Sequence, residues 1–268
     1  MNGGHLQPLA ALPAAARKGL RGVLTDIDGT LSTRGRLTAL AYAALERLRS
    51  SGLLVIPITG RPAGWCDHIA RMWPVDAVVG ENGGLYMIHD DRERRLRRRF
   101  AVDALERNVA RLRLARIGEA ILREVPGSAL ASDQGYRESD LAIDYCEDVA
   151  PLSREAVDRI VEIMRAEGMT VRISSIHVNG WFGAYDKLSM TRVLLHEEFG
   201  IELDRERERF AFVGDSPNDE PMFDYFPYSI GVANVRDFAD RMRVLPRYVT
   251  AAEAGEGFAE TAALLASR

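Results

Sequence analysis

Short apolar runs separated by helix-like segments constrain the fold of this chain more than any other feature. Three runs, 22–27 (GVLTDI), 53–59 (LLVIPIT) and 76–80 (DAVVG), have the length and apolarity of strands that are buried on both faces. The segments between them, 38–52 and 62–73, carry apolar residues at helical spacing. Strand–helix–strand–helix–strand is typical of a parallel sheet covered by helices, so the sequence predicts an α/β fold.

The middle of the chain follows a different pattern, in which strands mix with longer helices. Segment 140–146 (DLAIDYC) alternates with period two, which predicts a half-solvated antiparallel strand. Segment 153–168 has a helical apolar face, and 170–182 (TVRISSIHVNGWF) is strand-like. Asn179-Gly180 is a candidate hairpin turn within that segment, although a single strand with a bend fits the same residues.

The pattern of buried strands and helices returns towards the end of the chain. Helices are predicted at 187–199, 218–226 and 257–267, and strands at 210–214, 229–234 and 247–250. We therefore predict a core formed by 1–84 and 183–268, in which 1–19 is an N-terminal extension. An α+β module, 85–182, is inserted into this core.

Charge and cysteine usage narrow the class of protein. The 268 residues carry a net charge of −4, so no global basic field attracts nucleic acid or an anionic membrane. The arginine-rich stretch 90–100 lacks aromatic residues at regular spacing, and we interpret it as a solvated face. Cys66 and Cys146 lie far apart and are interpreted as reduced thiols. The sequence has neither an apolar run long enough to cross a bilayer nor a signal-peptide pattern, so we expect a cytoplasmic protein.

Two carboxylates, Asp26 and Asp28, follow the first apolar run directly. Ligands of an open parallel sheet bind at the carboxyl ends of its strands, so both side chains are expected in that crevice. Neighbouring carboxylates disfavour each other's ionisation unless a cation or a proton offsets the charge. A hard divalent cation is the natural solution, and Mg²⁺ is the common one beside phosphate. For this pair alone, a simple Asp-Gly turn remains the alternative.

Other strand and helix ends carry the further groups that phosphoryl transfer needs: donors that orient the phosphate, a cation and a second acidic cluster. In chain order they are Thr59, Gly60, Lys187, Asp215, Asn218 and Asp219.

The ordered set DIDGT (26–30), TGR (59–61), Lys187 and GDSPND (214–219) resembles the four motifs of the haloacid dehalogenase superfamily of phosphohydrolases. The resemblance covers the chain apart from the N-terminal extension. The insertion between the second and third motifs, together with ENGG (81–84), resembles subclass IIB. It implies a Rossmann-like parallel core with an inserted α+β cap of the C2B type.

The resemblance also implies roles for individual residues. Asp26 is the implied nucleophile, which forms an aspartyl-phosphate, and Asp28 is the implied general acid and then base. The implied phosphate-binding residues are Thr59, Gly60, Lys187 and Asn218. The implied Mg²⁺ ligands are Asp26, the backbone carbonyl of Asp28, and Asp215, with support from Asp219.

Because dehalogenases of this superfamily lack the second acid, Asp28 favours an alcohol leaving group and hence a phosphate ester. We expect a Mg²⁺-dependent phosphatase of a small phosphorylated metabolite, a sugar phosphate, since the resembled subclass includes sugar phosphatases. A phosphomutase and a non-catalytic sensor of phosphorylated ligands remain alternatives. Substrate contacts are expected from Arg61 and from the cap, although each cap residue also has a purely structural interpretation. These candidates are Arg61, Tyr136, Arg137, Ser175, His177, Asn179 and Trp181.

Overall fold

Strands and helices alternate along residues 6–267, the part of the chain that the computed structural model describes. The strands in this part are β1 (Gln7–Pro8), β2 (Gly22–Thr25), β3 (Ser32–Thr33), β4 (Arg36–Leu37), β5 (Leu54–Pro57), β6 (Val78–Gly80), β7 (Leu85–Asp90), β8 (Arg95–Phe100), β9 (Ala129–Leu130), β10 (Asp140–Asp144), β11 (Thr170–Ile173), β12 (His177–Trp181), β13 (Phe210–Gly214), β14 (Tyr228–Gly231) and β15 (Tyr248–Val249). The α-helices are α1 (Ala14–Gly19), α2 (Ala39–Ser50), α3 (Ala63–Met72), α4 (Ala104–Glu124), α5 (Arg154–Ala166), α6 (Lys187–Phe199), α7 (Leu203–Glu206), α8 (Glu220–Tyr225) and α9 (Ala254–Ala266).

A six-stranded sheet in the order β1-β15-β14-β13-β2-β5 forms the centre of the molecule. Every pair of neighbours is parallel, which confirms the predicted α/β fold. Successive residues of β2 point to opposite faces, so Val23 packs with α2, α3 and α9, and Leu24 packs with α6 and α8. Burial on both faces explains why these strands are continuous apolar runs.

The third predicted strand joins this sheet less directly than expected. β6 meets the end of β5 only through one parallel bridge, between Ile58 and Val79, and then pairs antiparallel with β7, which pairs with β8. Leu85 and Tyr86 of β7 belong to the two apolar clusters of the central sheet. The predicted domain bounds stay a prediction, and we propose that the inserted module begins only after Phe100.

The inserted segment contains an antiparallel sheet in the order β11-β12-β10-β9, packed against α4 and α5. The predicted antiparallel strand is confirmed as β10, but its predicted half-solvated environment is wrong, because all five residues are buried. The candidate hairpin turn at Asn179-Gly180 is also wrong, since both residues lie within β12. Gly180 is needed for packing instead, because a Cβ there would press on the side chains of Met164 and Met169.

The N-terminal extension, as far as it is described, contributes β1, which pairs with β15, and α1. Residues 1–5 lie outside the described part. Between residues 6 and 267, none of the helices combines the length and apolarity needed to cross a membrane.

Candidate active site

The ends of two adjacent central strands bring the predicted acidic residues together. Asp26 follows β2 and Asp215 follows β13, and the Asp26 N–H donates to the carbonyl of Val213 at 2.8 Å. The turn after β13 adds Asp219. Carboxylate oxygens of Asp26, Asp215 and Asp219 lie within 4.8 Å of one another, and all three residues are buried.

Lys187 is the cation of this cluster. It is the first residue of α6, and its Nζ lies 2.6 Å from Asp26 Oδ1 and 2.7 Å from Asp219 Oδ1. Burial lowers the pKa of Lys187, but the two carboxylates outweigh this effect and hold its pKa above the ordinary value. The side chain therefore stays charged although it is almost completely buried.

Asp219 orients Lys187 and the loop after β13. Its Oδ2 accepts from the backbone N–H groups of Asp215 (3.0 Å) and Ser216 (3.3 Å), while Oδ1 accepts from Lys187. Gly214 makes room for this arrangement, because a Cβ at that position would overlap the Asp219 carboxylate. With both oxygens engaged, Asp219 supports Lys187 and the loop more directly than it offers a metal ligand.

Asp215 is held by neutral donors only. Its Oδ1 accepts from the Thr30 hydroxyl at 3.4 Å, and its Oδ2 accepts from Asn234 Nδ2 at 3.0 Å. Asn234 also donates to the carbonyl of Gly29 at 3.0 Å, so it ties the loops after three strands together. The sequence analysis missed Asn234, although its place just after a neighbouring parallel strand was a usable signal.

The buried carboxylates outnumber the buried cations. Burial raises the pKa of Asp26 to about 7, with Asp219 and Asp28 adding to the rise and Lys187 opposing it. Burial, Asp26 and Asp219 raise the pKa of Asp215 well above its ordinary value. A hard divalent cation with oxygen ligands fits this donor set, because it would neutralise the charge that Lys187 leaves uncompensated.

The predicted phosphate-binding residues border the same cluster. Thr59 is fully buried, and its hydroxyl accepts from the Arg61 N–H at 3.0 Å. Asn218 donates from Nδ2 to Oδ1 of Asn82 at 3.3 Å, and Gly60 lies beside the amide of Asn82. Asn82 Nδ2 is buried without a hydrogen-bond partner among the described residues. The sequence analysis quoted Asn82 within ENGG but gave it no role at the site.

Glu81, the residue before Asn82, connects the core to the inserted segment. Its Oε1 accepts from the N–H groups of Ala63 and Glu138, and its Oε2 accepts from the N–H of Ser139. Burial and the nearby Asp140 raise the pKa of Glu81 to about 7, against the opposing effect of Arg137.

The carboxylate of Asp28 pairs with Arg61. Arg61 donates from Nε and Nη2 to the Asp28 carboxylate at 2.9 Å and 2.7 Å. It also donates to Glu147 Oε1 at 2.5 Å and to Asp133 Oδ2 at 3.3 Å. His177 Nε2 lies 2.9 Å from Glu147 Oε2. We call these five residues the Arg61 cluster.

Glu147 is ionised in this setting. Burial raises its pKa, but the contacts with His177 and Arg61 outweigh burial and bring the pKa of Glu147 down to about 2. The sequence analysis missed Glu147 and Asp133, because neither stands in a motif or at a spacing that indicates a site.

The candidate substrate residues divide into two groups. Arg61 and His177 belong to the Arg61 cluster, and the Ser175 hydroxyl donates to the Asp28 carbonyl at 3.3 Å. The other four are not members of that cluster, although Arg137 borders it: Arg137 pairs with Asp133 and Asp140, Asn179 donates to Asp140, Trp181 donates to the carbonyl of Tyr185, and Tyr136 is 63% exposed. For Arg137, Asn179 and Trp181 the structure favours the packing interpretation, because their polar groups are used within the protein.

Comparison with known proteins agrees with this geometry. Residues 23–121 match the model of the haloacid dehalogenase-like hydrolases. Among curated relatives, the phosphoglycolate phosphatase of Archaeoglobus fulgidus is 29% identical, covering 90% of this chain and 94% of that protein. The phosphoglycolate phosphatase of Methanospirillum hungatei is 25% identical, also covering 90% and 94%.

Solved structures share the fold at lower identity. The C-terminal domain of the Candida albicans trehalose-6-phosphate phosphatase superposes with a TM-score of 0.68 at 16% identity, covering 94% of this chain and 95% of that one. The sucrose-phosphatase of Synechocystis gives a TM-score of 0.60 at 16% identity, with 92% and 98% covered. The match over residues 23–121, the shared fold and four motifs that meet at one buried site make this chain similar to the haloacid dehalogenase-like hydrolases.

Proposed function

We propose that the protein is a Mg²⁺-dependent phosphatase that hydrolyses a small phosphate monoester, a sugar phosphate, through a phosphorylated Asp26. The observation that carries this proposal is the meeting of Asp26, Asp215, Asp219 and Lys187 at the carboxyl edge of the sheet. One buried cation among three buried carboxylates is suited to bind a metal ion together with a phosphate group.

Each of these residues has a separate role in the proposed reaction. Lys187 holds Oδ1 of Asp26, which leaves the second carboxylate oxygen to attack the phosphorus. Asp28 gives a proton to the departing alkoxide and then removes one from the water that hydrolyses the aspartyl-phosphate. The Thr59 hydroxyl, the Gly60 amide and Asn218 line the place of the phosphoryl oxygens.

Mg²⁺ would be held by Asp26, the carbonyl of Asp28 and Asp215, and would supply positive charge beside the phosphoryl group. Thr30 and Asn234 orient Asp215 for this task, because they fix both of its oxygens.

Arg61 must move before Asp28 can act. Its bidentate contact occupies both carboxylate oxygens of Asp28, so no oxygen is free for the leaving group. Glu147 and Asp133 already contact the same guanidinium and can keep it when it turns away from Asp28.

Two kinds of relative bear on the substrate. The curated relatives are named phosphoglycolate phosphatases, and the structural neighbours include phosphatases of trehalose 6-phosphate and of sucrose phosphate. All of these names denote small phosphate monoesters. We also propose that the protein acts in the cytoplasm on such a metabolite, without a nucleic-acid or membrane partner; Cys66 and Cys146 are both free thiols, as this location requires.

A panel of phosphate monoesters, assayed with and without Mg²⁺, tests the proposal. Wild-type protein should release phosphate only with the metal, and Asp26→Asn should release none, because an amide cannot form the acyl phosphate. Asp224→Asn, which changes an exposed aspartate on α8, is the matched control. Phosphate release by Asp26→Asn at the wild-type rate would refute the nucleophile. Labelled phosphate that reappears on an isomeric sugar would identify a phosphomutase.

A further inference from the structure

If the proposed phosphatase reaction is right, its leaving group must touch Asp28, because the proton that it receives comes from that carboxyl group. The side chains around Asp28 therefore surround the part of the substrate that distinguishes one phosphate ester from another. In this structure Arg61 contacts Asp28 directly, and Arg61 in turn contacts Asp133 and Glu147.

Negative charge prevails at this position. Asp28, Asp133 and Glu147 bring three carboxylates to one guanidinium, and Arg61 is the cation that they share. Ionised carboxylates accept hydrogen bonds and donate none. Hydroxyl groups of a substrate can satisfy them, whereas a substrate carboxylate would bring a further negative charge close to Glu147.

Glu147 is the acceptor that a substrate can reach. The Asp133 side chain is only 7% exposed and also pairs with the buried Arg137. The side chain of Glu147 is 21% exposed, and the loop that carries it is held firmly. Asp144 fixes this loop, because its carboxylate accepts from the N–H groups of Cys146, Glu147 and Asp148 at 2.8–2.9 Å.

We propose that Glu147 determines specificity by accepting a hydroxyl group of the leaving alcohol, and that it excludes alcohols that carry a carboxylate at the same place. Selection of this kind is efficient, because a hydroxyl group can donate to Glu147, whereas a carboxylate at the same place would be repelled by its charge. The activity on a hydroxylated ester should then exceed that on phosphoglycolate, the substrate named for the curated relatives.

Two esters of equal length isolate this choice. 2-Hydroxyethyl phosphate and 2-phosphoglycolate differ only in a terminal CH₂OH or carboxylate group. With Mg²⁺, wild-type protein should prefer 2-hydroxyethyl phosphate by at least about tenfold in kcat/KM, the factor expected for one hydrogen bond to a charged group. Glu147→Gln should lower this preference by at least about tenfold, mainly through KM. Glu167→Gln, at an exposed glutamate of the same inserted segment, should leave it unchanged.

Circular dichroism shows whether Glu147→Gln folds. A second variant, Glu147→Asp, tests the proposal if it does not. Glu147→Asp keeps the charge but withdraws the oxygens, so it should lose activity on 2-hydroxyethyl phosphate without gaining any on 2-phosphoglycolate. An unchanged preference in Glu147→Gln would overturn the proposal. A wild-type preference for 2-phosphoglycolate would also overturn it, and so would hydrolysis of other esters without hydrolysis of 2-hydroxyethyl phosphate. In both cases the phosphatase function would stand. If wild-type protein releases no phosphate from any ester, the function and the selection fail together.

Discussion

Replacing Asp215 by asparagine should make the metal-free protein more stable while it removes the response to Mg²⁺. Asp215 lies buried beside Asp26 and Asp219, and its own hydrogen-bond donors, Thr30 and Asn234, are neutral. Asparagine fits the same place, because its oxygen can accept from Asn234 and its NH₂ group can donate to the Thr30 hydroxyl. The substitution thus removes a buried charge while it keeps a hydrogen bond to each of the two neighbours.

The size of the effect follows from the pKa of Asp215, which burial, Asp26 and Asp219 raise well above its ordinary value. A raised pKa means that the folded state favours the protonated form. The associated stability is complete below the pKa of the unfolded chain and is lost as the pH rises through the folded pKa. A tenfold change in proton affinity corresponds to about 1.4 kcal/mol, and full burial can change the proton affinity of a carboxylate by several powers of ten. Because the neighbouring acids share the effect, we expect Asp215→Asn to raise the free energy of unfolding by about 2 kcal/mol at pH 7.5. The increase should be clearly smaller at pH 5.

Urea unfolding of both proteins, with EDTA and then with Mg²⁺, measures this difference. Mg²⁺ at a hundred times its Kd should stabilise the wild type by about 2.7 kcal/mol and the variant by much less, so their order should reverse. Asp224→Asn controls for the loss of a surface charge and should follow the wild type. A variant that is less stable than the wild type without metal, with an equal gain from Mg²⁺, would show that Asp215 is neither strained by its neighbours nor a ligand.

Three further substitutions, one of them with a control variant, probe the residues that hold the site in place. Lys187→Met should cost about 3–5 kcal/mol of metal-free stability, because it leaves buried carboxylates unpaired; a urea midpoint like that of the wild type would contradict the ion pairs. Gly83→Ala should cost more than about 2 kcal/mol, since φ is +102° and a Cβ would overlap the carbonyl of Asp186. Gly35→Ala, also at positive φ but in open space, should cost only about 1 kcal/mol, and equal losses would refute the steric argument. Asn234→Ala should raise the Mg²⁺ concentration for half-maximal activity by about tenfold, and an unchanged metal requirement would remove Asn234 from the site.

The core of the site could be predicted from sequence because its geometry is local to strand ends. Asp26 and Asp215 each directly follow a strand of an all-parallel sheet, so their meeting follows from strand order alone. Lys187 begins a helix and Thr59 follows a strand, which again places each side chain at one edge of the sheet. The same rule could have found Asn234, but a single asparagine after a strand carries no motif.

Within the inserted segment the sequence was less informative. Gly180 looks like a turn residue, but it lies in a strand because Met164 and Met169 need its space. Asp140 looks like a solvent-facing position in an alternating strand, yet it is buried by pairing with Arg137 and Asn179. In both cases partners outside the strand itself decide the environment, and the pattern of the strand does not record them.

The residues proposed for catalysis and the residue proposed for selectivity differ in the same way: the first are placed by local structure and the second by distant contacts. The residues proposed to attack, protonate and hold the phosphate stand on short loops of the core, where the sheet fixes them. Glu147 reaches Asp28 only through Arg61 and only because the inserted segment packs over the core. Proteins that share all four motifs can therefore differ in substrate through one side chain that no motif contains. For this protein, the ratio of activities on a hydroxylated and a carboxylated ester is a stronger test of substrate than any match to the motifs.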